Sequence, residues 1–198
     1  MNHSECPRLA ALARELRALP PSLGAVRLVA VDGHAGSGKS TFAARLADRL
    51  DGAPVVHLDD LATHEDFFGW TRRLREQVLR PLAEGRPGAY DVYDWTRRAF
   101  TERRAVEPAP VVLLEGVGAG RRSVRPALAR LLWMELPARE SWARGRRRDG
   151  RELASFWREW ELGEQRHFAA DPSRPYADAL VLQGETGYTV LPGPSAGG

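Results

Sequence analysis

Gly33-His34-Ala35-Gly36-Ser37-Gly38-Lys39-Ser40 carries the spacing G-x-x-x-x-G-K-[ST], and Thr41 follows it. Lys39 is the only lysine in the chain; the other basic side chains, 29 with Lys39 included, are arginine. Arginine is a broad planar fork, whereas lysine is a compact ammonium on a thin stem. A tight glycine-rich loop wrapped on phosphates admits the second and not the first. The pattern predicts backbone N–H groups cradling a polyphosphate, with Lys39 reaching its β- and γ-phosphates and Ser40 its Mg²⁺. Nucleotide binding is therefore the first expectation.

Three further sets of residues could serve that chemistry. Glu115 ends the apolar run Val111-Val112-Leu113-Leu114, where a carboxylate can face a metal and its water. Asp59 and Asp60 follow Pro54-Val55-Val56-His57-Leu58, at the strand end where open α/β sheets bind ligands. Either could take the proton of an attacking hydroxyl or hold Mg²⁺ through water. Adjacent acids do not easily point into one site, so Asp59 is the expected one. The segment 139–151 carries Arg139, Arg144, Arg146, Arg147, Arg148 and Arg151. On a helix 144 and 148 share a face, as do 147 and 151. Planar cations there would form a lid stabilising a transferring phosphoryl group. A solvated basic face is the competing expectation.

Tyr90, Tyr93, Asp94, Trp95 and Arg97 make a polar-aromatic patch in a long loop. Aromatics with an acid suit a flat or hydroxylated acceptor, although packing against the domain body would use the same residues. His57, His64 and His167 lack metal-ligand spacing and receive no role.

These residues need a frame, and the chain supplies alternating strands and helices. Leu9, Leu12, Leu16 and Leu19 have helical spacing over 8–19, closed by Pro20-Pro21. Strands are predicted at 26–32, 54–58, 111–114, 131–136 and 179–183, and helices at 39–50, 70–83, 138–149 and 152–168. A polar, proline-containing stretch runs to Pro110. The alternation predicts an α/β, three-layer P-loop fold: a five-stranded parallel sheet with helices on both faces and an arginine-rich lid. The expected organisation is an amphipathic helix over 1–24, the P-loop domain over 25–185 and a disordered tail over 186–198.

At 198 residues, with 43% hydrophobic and 28% charged residues, the chain reads as one globular domain. A net charge of +3 does not call for nucleic acid, though it suits a small anionic substrate. The single cysteine, Cys6, excludes an internal disulfide and a multi-cysteine zinc site. No apolar run approaches membrane-spanning length and no signal segment opens the chain, so a cytoplasmic protein without a membrane partner is expected. A homo-oligomer is compatible with all of this.

Taken in order, these motifs resemble the uridine kinase and phosphoribulokinase group of P-loop kinases. The resemblance runs from about Val26 to Val181. It rests on the P-loop, Asp59-Asp60-Leu61, Tyr93-Asp94-Trp95, Leu113-Leu114-Glu115-Gly116, the lid-like Trp142-Ala143-Arg144-Gly145-Arg146-Arg147-Arg148-Asp149, and Tyr176-Ala177-Asp178. It implies ATP–Mg²⁺ as donor and a sugar hydroxyl as acceptor, typically the 5′-OH of uridine or cytidine. By position it implies Asp59 as general base, Tyr93 as an acceptor contact, and Arg144 and Arg148 as lid contacts to phosphate or acceptor; Asp60, Trp95 and Arg97 are expected beside Tyr93 from the residue pattern itself. Ser40 and Glu115, with Asp59, would handle the metal.

Two acceptor-reading positions depart from that group. Trp95-Thr96-Arg97-Arg98 stands where a histidine is expected, and Leu61-Ala62 replaces an aromatic. A vitamin, sugar or natural-product acceptor is the first alternative, and an ATP-binding regulator without kinase activity is the second. The absence of a second lysine excludes an Asn-Lys-x-Asp guanine reader, and no LSGGQ-like signature is present.

Overall fold

The structure is a computed structural model, and it describes residues 6–185 and 187–197. Strand β1 (Arg27–Asp32) is buried along nearly its whole length. Its residues alternate between two cores: Leu28 and Ala30 face one, Val29 and Val31 the other. Burial on both faces is what a continuous apolar run in a parallel sheet requires.

Around it, β2 (Val55–His57), β5 (Val111–Glu115), β6 (Leu128–Met134), β7 (Ala179–Gly184) and β8 (Gly187–Pro192) give the order β2-β5-β1-β6-β7-β8. The first five in that row are parallel, and β8 pairs antiparallel with β7. The five predicted parallel strands are present, and the sheet has six strands because part of the expected tail folds onto its edge. Tyr188 supplies the reason: it is buried against Phe42 with ring centroids 4.9 Å apart.

Helix α1 (Cys6–Ala18) buries Leu9, Leu12, Ala13 and Leu16 in one core together with Phe42 and Leu46 of α2 (Lys39–Arg49). Residues 71–83 are helical in three pieces: α3 (Thr71–Leu74), a π-helical turn (Arg75–Leu79) and α4 (Arg80–Ala83). Pro81 has no N–H to give Gln77, and the widened turn precedes it. On the lid side, α5 (Ala138–Asp149) and α6 (Ala154–Ala170) cover a third, aromatic cluster built on Trp142, Trp157 and Trp160.

Residues 88–106 correct the expectation of an irregular loop. They form an antiparallel hairpin, β3 (Gly88–Asp94) and β4 (Ala99–Val106). Tyr90, Val92 and Val106 join the core, while most of β4 is exposed. Its solvated face carries too little apolar alternation to announce a strand. Among the described residues no helix is long and apolar enough to cross a membrane.

Candidate active site

The carboxyl ends of β1, β5 and β2 converge on one edge of the sheet. Asp32, fully buried at the end of β1, accepts N–H groups from Gly33 (2.7 Å), Gly118 (2.9 Å) and Gly120 (2.8 Å). It ties the start of the glycine loop to the loop after β5. Gly36 has φ +85°, and a Cβ there would lie 2.1 Å from the Ser141 carbonyl oxygen of α5. Only glycine lets the loop cross the lid helix so closely. Gly38, at φ +94°, turns the chain into α2.

Lys39 is buried, and its Nζ donates to the His34 carbonyl at 3.0 Å, across the loop. The Ser37 hydroxyl is buried there without a partner. A loop whose ammonium folds back on its own backbone and whose hydroxyl is unmet has donors to offer a polyanion.

The loop is braced from behind by Glu164 of α6, whose side chain has no solvent exposure. Its carboxylate accepts from the Trp142 indole N–H (3.0 Å) and the Trp160 indole N–H (2.9 Å) as well as from the loop itself. Sequence patterning missed this residue. Its only signal was the helical spacing Trp157, Trp160, Glu164.

At the neighbouring strand ends, Glu115 is buried and meets His57 Nδ1 at 2.5 Å, which raises the pKa of His57. Asp59, on the short 3₁₀ turn Leu58–Asp60, is exposed, and its surface opens onto the site. Desolvation by the protein mass around the cavity mouth, then the charge of Glu115, push its pKa up to about 6. Asp60 turns away, held by Arg104 at 2.5 Å and approached by the Tyr90 hydroxyl at 3.5 Å.

Two cavities meet at Asp59. The first, of about 280 Å³, is lined by Gly36, Gly38, Lys39, Ser40, Thr41, Glu115, Arg144 and Arg148, with Gln183 from β7. The second, of about 500 Å³, shares Ala35, Asp59, Arg148 and Trp160 with it. His64, Trp95, Thr96, Phe156 and Trp157 continue its wall. Ser40 and Glu115 are both in the first cavity. Among the described residues no three or more His, Cys, Asp or Glu side chains gather as a ready metal site. A divalent ion would be shared there with phosphate oxygens and water, as Mg²⁺ usually is.

The predicted residues do not all arrive at this place. Arg144 and Arg148 line the first cavity, while Arg146 pairs with Glu161 on the outer side. Arg151 lies beyond the helix in a 3₁₀ turn, so it shares no face with Arg147. Trp95 lines the second cavity. Tyr93 is buried behind it, with its hydroxyl 3.1 Å from His64 Nδ1. Arg97 corrects the predicted acceptor set: its side chain is 75% exposed at the hairpin turn, beside Asp94, and lines neither cavity. Asp60 and Tyr93, also predicted for the acceptor, likewise line neither cavity. His64, Phe156 and Trp157, to which the sequence assigned no role, stand in the wall instead.

No protein-family model matches the sequence, and no curated protein does. Solved structures do. One is described as a possible uridine kinase from Bacillus stearothermophilus, with TM-score 0.64 and 18% identity over 87% of this chain and 96% of that one. Another, from Silicibacter sp. TM1040, is described as a candidate fructose transport system kinase; it has TM-score 0.62 and 23% identity over 82% of this chain and 94% of that one. A D-glycerate 3-kinase from Cryptococcus neoformans var. grubii has TM-score 0.53 and 11% identity over 93% of this chain and 98% of that one. These proteins share a fold with this chain, and the acceptors in their names differ. This chain has the fold of the P-loop small-molecule kinases.

Proposed function

We propose that the protein transfers the γ-phosphoryl group of ATP to a hydroxyl of a small molecule. The observation that carries the proposal is Asp59, a carboxylate of raised pKa at the junction of the P-loop cavity and a second, aromatic cavity. A base belongs at that junction when one cavity takes the donor and the other the acceptor.

The loop from Gly33 to Ser40 and the N-terminus of α2 hold the polyphosphate, and Lys39 leaves the His34 carbonyl to meet it. Mg²⁺, held by Ser40 and Glu115, supplies charge neutralisation on the phosphates when bound. Asp59 takes the proton of the acceptor hydroxyl as its oxygen bonds to the γ-phosphorus and ADP departs. Arg144 and Arg148 face the equatorial oxygens from α5 and stabilise their spread charge. Positioning and electrostatics suffice, so no covalent enzyme intermediate is expected.

The test is ADP release measured with ATP and Mg²⁺ across a panel of nucleosides, sugars, vitamins and aryl alcohols. Acceptor-stimulated release that Asp59→Asn lowers by about a hundredfold or more supports the kinase. ADP release that no hydroxylated compound stimulates defeats it.

A further inference from the structure

We infer that the second cavity takes a neutral acceptor built on an aromatic ring with few hydrogen-bonding edges, its hydroxyl carried on a short arm, and that polyols are poor ligands there. This rests on the kinase proposal only in calling the occupant the acceptor.

The wall is mostly aromatic and most of its polar groups are engaged within the protein, which leaves the Asp59 carboxylate, the Thr96 hydroxyl and one Arg148 amino group facing the cavity. The three indole N–H groups are committed: Trp95 to the Asp59 carbonyl at 3.1 Å, Trp157 to Asp149 at 3.2 Å, and Trp160 to Glu164 at 2.9 Å. Arg148 lays its guanidinium along the Asp149 carboxylate, with contacts of 2.5 and 2.9 Å. His64 has one ring nitrogen on the Tyr93 hydroxyl, and burial lowers its pKa, which favours the neutral imidazole.

A ligand with many polar edges would lose water and find partners for only a few of them, at about 1–3 kcal/mol for each group left unmet. That penalty falls on a nucleobase edge and on every hydroxyl of a sugar. A carboxylated acceptor meets a further obstacle, because Asp59 and Asp149 line the same cavity. An aromatic ring meets the faces and edges of Trp95, Phe156 and Trp157, contacts worth about 0.5–1.5 kcal/mol each beyond the area they bury. Leu153, 42% exposed, extends the apolar surface at the rim. Asp59 remains at the inner end, next to the P-loop cavity, to receive the one hydroxyl.

The test is calorimetric titration of the full chain without nucleotide, using cinnamyl alcohol and tryptophol against uridine, D-fructose and D-glycerate. The aryl alcohols are expected to bind at least about tenfold more tightly than the other three. Phe156→Ala and, at the exposed rim, Leu153→Ala should each weaken them, the former by about tenfold. Leu162→Ala, on the outer surface of α6, should leave them unchanged. The inference is overturned if uridine, fructose or glycerate binds more tightly, if neither aryl alcohol binds measurably, or if both rim and wall variants bind like the parent. Turnover separates the two proposals. Aryl alcohols that bind but never accept phosphate would sink the kinase while leaving the cavity assignment standing. Uridine phosphorylated at a higher kcat/KM than either aryl alcohol would do the reverse.

Discussion

Glu164 holds His34 Nδ1 at 2.6 Å on one carboxylate oxygen and the Ala35 N–H at 3.0 Å on the other. The same two oxygens take the indole N–H groups of Trp142 and Trp160. One buried carboxylate thus joins the glycine loop, the lid helix α5 and the wall of the second cavity. Burial works against its charge, but the hydrogen bonds of His34 and Ala35 and the charges of His34 and Lys39 outweigh it, and its pKa lies below the usual range.

Removing that brace should loosen the loop before it unfolds the domain. Glu164→Gln presents one acceptor oxygen where two stood. It is expected to weaken binding of a non-hydrolysable ATP analogue by about tenfold and to cost roughly 1–3 kcal/mol in urea unfolding. Because the folded pKa is depressed, the stabilising effect is present above the unfolded carboxylate pKa and is lost as pH falls through the folded one. The gap between parent and variant should therefore close in acid. Equal analogue affinity in the two proteins would show that the loop holds its shape without Glu164.

The lone lysine gives a sharper test than alanine alone. Lys39 is buried, with Nζ 3.0 Å from the His34 carbonyl inside its own loop. A guanidinium is broader than an ammonium and does not reproduce its single compact contact inside the loop. Lys39→Arg should therefore lose turnover nearly as completely as Lys39→Ala, by about a hundredfold or more. Both variants should keep a cooperative unfolding transition. Activity of Lys39→Arg within a few-fold of the parent would mean that the loop opens far wider than its unliganded form.

The lysine was legible in the sequence because the P-loop is a local device: a strand, a glycine turn and a helix within about fifteen residues. Asp59 and Glu115 were legible for a related reason, since strand ends in a parallel sheet share one edge. What escaped was long-range. The second cavity is assembled from a loop histidine at 64, a hairpin tryptophan at 95 and the helix face 156–160, and no spacing links them. The hairpin itself was hidden because its outer strand is polar and solvated. Arg97 and Asp60 were misplaced by proximity in sequence: each sits beside a pocket residue and points elsewhere, one into solvent beside Asp94 and one onto Arg104.

Asp59 and Asp60 should separate cleanly in mutants. Asp59→Asn should lower turnover while leaving ATP affinity within a few-fold, whereas Asp60→Asn should mainly destabilise the hairpin by removing the charge that pairs with Arg104 at 2.5 Å, leaving it Glu102 at 3.3 Å. The raised Asp59 pKa also has a stability consequence. A carboxyl at about 6 in the folded protein binds protons that the unfolded chain has released, so folding weakens as pH rises from the ordinary carboxylate value through about 6. Asp59→Asn should thus melt at a higher temperature than the parent at pH 8 and at a similar one near pH 3.5. In the active protein, kcat/KM should rise with pH as this group ionises, and Mg²⁺ beside it would draw the midpoint lower. A variant that melts earlier than its parent at pH 8 would contradict the raised pKa.

His167 controls the far side of the same loops. Its ring stacks on Phe68 at 4.5 Å and its Nδ1 lies 3.3 Å from an Arg121 guanidinium nitrogen, while a Cβ on Gly118 would sit 2.5 Å from its Nε2. Burial, then the Arg121 charge, lower its pKa to about 4. The unfolded chain, near 6.5, binds the extra proton between those values, so stability is complete above about 6.5 and falls as pH drops towards 4. Protonation would strain the loop whose Gly118 and Gly120 N–H groups hold Asp32. His167→Phe keeps an aromatic face for Phe68 and removes the titration. Its melting temperature should fall less than the parent's between pH 7 and pH 5, and the difference should flatten above pH 7. Parallel melting curves for the two proteins across that interval would mean that the His167 ring is protonated in the fold as easily as in water.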